Sequence, residues 1–319
     1  MKPKNITRGI SKEFAEAFIN CALFSLYQRH RDDLIIGVRN HYLSLYYNCD
    51  SIAKIEYTKG HITCKIDKYY PEGHHYKGKD KMQKMDPADV CANYETIKAN
   101  SLRKSTDEKK AQSKLYLLNN NNPDSRWYCF DVEWKKAFEN QQKKIDAQFN
   151  GRFDIMAISK EKPHEVAIIE LKYGSTAIGG KSGIYKHIED FNKYQHRNYF
   201  DKLEVCDIIE SQNMLGIDIP DLAMKLKAKD IQDYKFYVIT LNNNVVKRNG
   251  STPKQTMSGY LFSDRRWNCK RFSKKIVQTN FGDVADINNT IHVKFLFSDQ
   301  TLDNLTINDI IEHSGYDRE

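Results

Sequence analysis

Three apolar, strand-prone runs follow one another in the middle of the chain, Tyr128 to Trp134, Arg152 to Ser159 and Glu165 to Tyr173, and charged side chains interrupt all of them. Alternation of this kind commits the segment to a sheet. The loop Lys160 to His164 is short enough to make the second and third runs a hairpin. Gly179 and Gly180 then lead into a helix from Ser182, on which Ile184, Ile188, Phe191 and Tyr194 share one face. A further strand is predicted over Tyr234 to Leu241.

The flanks read differently. Phe14, Ala15, Phe18, Ala22 and Leu26 recur at helical spacing behind a capping Ser11, which predicts one amino-terminal helix. Leu34 to Val38, Tyr42 to Tyr47, Ile52 to Tyr57 and His61 to Ile66 predict an antiparallel meander. Tyr70 to Lys84 reads as a loop or linker, and a long polar helix is expected from Pro87 to about Leu118, ended by the asparagine run after it. The expected organisation is an accessory helix and meander over 1–85, a central α/β core over 86–245 and a basic extension over 246–319 packed on that core.

The chain has 319 residues, enough to bury its own core without disulfide staples. Its seven cysteines are an odd number with no zinc-ligand spacing, as expected of reduced thiols. No signal peptide and no membrane-length apolar stretch is legible, so a cytoplasmic protein without a membrane partner is expected. The net charge is +8, and Lys247 to Lys275 alone carries nine Lys/Arg against the single acid Asp264. Tyr260, Phe262, Trp267 and Phe272 are interleaved there, a mixture suited to phosphate contact and base stacking, or to a solvated face with its aromatics turned inward.

The chemistry sits in the hairpin. Strand alternation puts Glu170 and Lys172 on one face with Val166 and Ile168, and Asp154 breaks the apolar run Phe153 to Ile158 on the partner strand. Burying such groups is costly unless they are paired or bind a ligand. Pairing of the strands brings Asp154 towards Glu170 and Lys172, an oxygen-rich arrangement suited to Mg²⁺ or Mn²⁺.

Through Asp154 in RFDIMAI and Glu170-Leu171-Lys172 in VAIIELKYG, the chain resembles the PD-(D/E)XK nuclease superfamily, and its order of helix, three strands, helix and strand over about half the chain is similar to that family's core. Phe153 stands where the motif has proline. The resemblance implies a restriction-endonuclease-like α/β core, with a central mixed sheet flanked by helices. It also implies metal-dependent phosphodiester hydrolysis with Asp154 and Glu170 as metal ligands and Lys172 acting on the water. DNA is the expected substrate ahead of RNA, with endonucleolytic cleavage, a role in bacterial restriction or phage defence, and a homo-oligomer left open.

Further candidates surround this trio. Glu133, in FDVEWK, shares a strand face with Asp131, opposite Phe130, Val132 and Trp134. Glu108, with Gln112 a turn later, looks like the acid that family members carry before the sheet, but it also fits the solvated run TDEKK. Lys181 at a helix start and Arg265, Arg266, Lys270 and Arg271 in the basic segment are the expected nucleic-acid contacts. His187 falls on the apolar helix face and reads as a core histidine, and Gln195 with Tyr199 forms a weak family-like pair. Two other classes compete. A catalytically silent nucleic-acid-binding or assembly module would keep the same fold. Gly174 to Ser182 also approaches a P-loop, but has one residue too many between its glycines.

Overall fold

The computed structural model describes residues 8–136, 151–173, 184–217, 226–241, 273–279, 282–288, 293–297, 301–302 and 305–314. The chain divides into two compact units, residues 1–117 with 201–231 and residues 118–200 with 232–319. These limits differ from the boundaries expected near 85 and 245.

The first unit is built on an antiparallel sheet in the order β1 (Leu34–Val38), β2 (Tyr42–Tyr47), β3 (Asp50–Thr58), β4 (His61–Asp67) and β5 (Met82–Met85). Both β2–β3 and β3–β4 close through two-residue turns, Asn48-Cys49 and Lys59-Gly60, with positive φ at all four positions. Such turns match the twist of the strands they join, and Gly60, at φ 82°, adopts this backbone without steric cost. The meander is as the alternation predicts, but β5 lies in the stretch expected to be a linker.

The predicted helices are shorter than expected, and asparagines are one reason. The amino-terminal helix is split into α1 (Lys12–Ile19) and α2 (Ala22–Arg29). Asn20 Nδ2 donates to the Glu16 carbonyl at 2.9 Å and ends the first helix. The polar helix expected over 87–118 is three helices, reached after a short α3 (Tyr69–Glu72): α4 (Pro87–Ala92), α5 (Tyr94–Lys104) and α6 (Asp107–Asn120). Asn93 repeats the device on the Asp89 carbonyl at 2.8 Å. Ser105 turns to extended backbone, its hydroxyl donating to Ser101 O at 2.8 Å and lying 2.7 Å from Asp50 Oδ2. The expected Ser11 cap is present, accepting from Phe14 N.

In the second unit, α7 (Ile184–His196) accompanies a seven-stranded mixed sheet. Its strands are β6 (Trp127–Trp134), β7 (Phe153–Ser159), β8 (His164–Tyr173), β9 (Ile231–Leu241), β10 (Ser273–Thr279), β11 (Gly282–Asn288) and β12 (Val293–Phe297), in the order β10-β11-β12-β9-β8-β7-β6. β6, β7 and β8 are antiparallel neighbours, and β12 runs parallel to β9. The described part of the expected carboxy-terminal extension therefore lengthens the sheet. α8 (Lys202–Met214), which the sequence reading did not include, returns to the first unit and packs on β1 and α1. A last helix, α9 (Ile307–His313), is held by a capping box between Thr306 and Asp309.

Candidate active site

The site is built on three adjacent strands. The β6–β7 register pairs Val132 with Ile155 and Trp134 with Phe153, so Glu133 falls opposite Asp154. The β7–β8 register pairs Ile155 with Ile169, and one step further Asp154 falls opposite Glu170. Glu133, Asp154 and Glu170 thus form one row across the sheet. The row depends on an irregularity, because the register shifts between Cys129 and Asp131. Continued from Cys129↔Ala157 without that shift, the pairing would put Glu133 on the face away from Asp154.

Each carboxylate is held differently. Glu170 is fully buried, and its Oε1 lies 2.8 Å from Lys172 Nζ and 3.1 Å from His187 Nε2. Lys172 is itself 6% exposed at its side chain, so both charges of this pair are out of water. Asp154 is half-buried and accepts the Leu171 backbone N–H through Oδ2 at 2.8 Å, closing the end of β8 with a side chain. Burial, and then the neighbouring charge of Glu170, push its carboxyl well above the usual carboxylate range; Glu133 adds to the rise, while Lys172 and the Leu171 N–H oppose it. Glu133 accepts from the Arg152 guanidinium at 2.7 Å. Its backbone stands at φ 53°, an unfavourable conformation for a side chain of this size and one that concentrates at functional sites.

His187 comes from α7. That helix is fixed by aromatic packing, with Phe191 stacked on Phe236 at 4.6 Å and Tyr194 edge-on to Phe153 and Trp134. Close approach at Gly151 helps: a Cβ there would stand 3.0 Å from the Tyr194 ring, whose hydroxyl bonds the Gly151 carbonyl. The apolar helix face therefore carries the imidazole to the buried carboxylate.

The expected trio is thus brought together, and Glu133 joins it. Glu108 stands half-buried in the first turn of α6 in the other unit, and Gln112 beyond it is buried. Lys181, Arg265, Arg266, Lys270 and Arg271, with the interleaved aromatics and the run Gly174 to Ser182, lie outside the described residues. Gln195 is exposed and Tyr199 buried. Sequence reading undervalued His187 and passed over Arg152; the available signal was a polar ring on a helix face aimed at a strand that ends in charges.

Among the described residues, no group of three or more His, Cys, Asp or Glu side chains is arranged to hold a metal ion. The donor chemistry nonetheless suits a hard divalent cation. Mg²⁺ commonly uses one or two carboxylates and keeps several waters rather than entering a protein cage. The crowding that raises Asp154 is also what a bound cation relieves. No helix among the described residues is long and apolar enough to cross a membrane. In comparison with known proteins, no family model matches the chain, and no curated protein or solved structure matches it significantly.

Proposed function

We propose that the protein is a Mg²⁺- or Mn²⁺-dependent nuclease with a restriction-endonuclease-like core, acting on DNA by endonucleolytic cleavage. The observation that carries this reading is the row Glu133, Asp154 and Glu170 with Lys172 beside it, on adjoining strands of one mixed sheet. A divalent ion bound there supplies an acidified water and stabilises charge building on the phosphoryl oxygens. Asp154 and Glu170 would be its protein ligands, and Glu133 offers a further carboxylate on the more solvated side. Lys172 would orient the attacking water or offset developing charge, since its ammonium is compact and fixed by Glu170.

The test is incubation of the purified protein with plasmid, single-stranded DNA and RNA in Mg²⁺, in Mn²⁺ and in EDTA. Cleavage of DNA in either metal and none in EDTA is expected. Asp154→Asn, which keeps an acceptor for the Leu171 N–H, should lose at least about 100-fold in rate. Salt-sensitive binding with no substrate cut in either metal would favour the silent binding module instead.

A further inference from the structure

We infer that His187 is a positioning residue for the proposed cation site, fixing the Glu170 carboxylate from the helix side while Lys172 fixes it from the strand. The inference rests on the nuclease reading above and adds a residue to it. Three observations carry it. Glu170 is 0% exposed, so its orientation is set by protein groups rather than by water. Lys172 Nζ and His187 Nε2 approach the same oxygen, Oε1, at 2.8 Å and 3.1 Å. Contacts from two elements oppose rotation of the carboxylate about its terminal bond and so bias the direction of Oε2.

The partners are not equivalent. Lys172 lies two residues from Glu170 on the same strand and moves with it, whereas His187 belongs to α7. The imidazole therefore ties the carboxylate to the aromatic packing of Phe191 on Phe236 and of Tyr194 on Phe153. Outer groups in contact with a ligating carboxylate help to orient it for the metal, and losing one typically lowers metal affinity or activity by about 10–100-fold.

The experiment compares wild type, Asp154→Asn, His187→Ala and His187→Gln, since the glutamine amide can present an N–H to Oε1 in place of the ring nitrogen. Calorimetric titration with Mn²⁺ alone, without nucleic acid, reads affinity directly; thermal melting in EDTA reads folding, and plasmid cleavage reads rate. His187→Ala is expected to weaken Mn²⁺ binding and cleavage by about 10-fold or more, with His187→Gln regaining most of both. If His187→Ala fails to fold, His187→Gln decides: a folded Gln variant with near wild-type Mn²⁺ affinity supports the positioning role, and one with strongly weakened affinity overturns it. Wild-type affinity and rate in folded His187→Ala, or a folded Gln variant no better than a folded Ala one, would overturn the inference and leave the nuclease reading standing. A wild-type protein that neither binds Mn²⁺ nor cuts would overturn both.

Discussion

Asp154 and Lys172 make opposite demands on the fold. Asp154 stands where its surroundings resist a negative charge, being half-buried between Glu170 and Glu133. Its amide isostere keeps the bond to the Leu171 N–H and removes the repulsion, so Asp154→Asn should stabilise the metal-free protein by about 1 kcal/mol, read by thermal melting in EDTA. Excess Mn²⁺ should then stabilise wild type but not the variant. A lower melting temperature for the variant in EDTA would show that the crowding is absent. Lys172 behaves in the other sense, because its loss leaves the fully buried Glu170 with less compensation. Lys172→Ala should therefore cost about 3 kcal/mol in denaturant titration, and the double replacement Glu170→Gln/Lys172→Met should recover most of it. In the sequence the trio was legible because each charge interrupts an apolar run. His187 was not, because a ring on an apolar helix face has the same pattern whether it meets a leucine or a carboxylate.

At the level of elements, the strands were readable and the helix ends were not. In–out alternation marks a half-buried strand directly, and β1 to β4 and β6 to β9 lie close to where the pattern puts them. Asn20 and Asn93 end helices by bonding back four residues, which leaves no trace in hydrophobic spacing. The register shift near Phe130 is equally silent, although it decides which face Glu133 occupies. Asparagine serves β6 as well: Asn120 donates to Cys129 O at 2.8 Å and accepts from Cys129 N at 2.9 Å, covering part of an edge strand. Asn120→Ala should lower stability by about 1–2 kcal/mol in urea unfolding, and Asn120→Asp should recover little of it, since it lacks the donor. In the meander, Lys54 and Lys65 stand opposite one another, and Glu56 bridges them at 2.6 and 2.7 Å. Burial raises the Glu56 carboxyl, but the two lysines outweigh it and the net shift is downward. A lowered folded pKa means that its stabilisation is present above the ordinary carboxylate pKa and disappears as pH falls through the folded one. Glu56→Gln should thus destabilise by about 0.5–1 kcal/mol at pH 7 and hardly at all near pH 2, with a smaller effect in high salt.

For the whole molecule, the division into two units could not be read from composition because the chain passes between them repeatedly. α8 was missed for a related reason. Glu204, Asp207, Ser211 and Gln212 are buried along with Val205, Ile208 and Ile209, so its buried set is not an apolar stripe. It is nonetheless integral to the first unit, where Ser211 Oγ accepts the Ile10 N–H at 3.1 Å. A fragment ending at residue 117 should therefore lack a cooperative thermal transition by circular dichroism; a sharp one would show that the first unit is complete without α8. The same threading sets an order on biosynthesis. A nascent chain has made β6, β7 and β8, and with them Glu133, Asp154 and Glu170, before the segment that completes the first unit exists. β9 and β12, which join that hairpin to the rest of its sheet, emerge later still. The acidic row is thus made while β8 is still an open edge, and neither unit can close until α8 and β9 have followed it out.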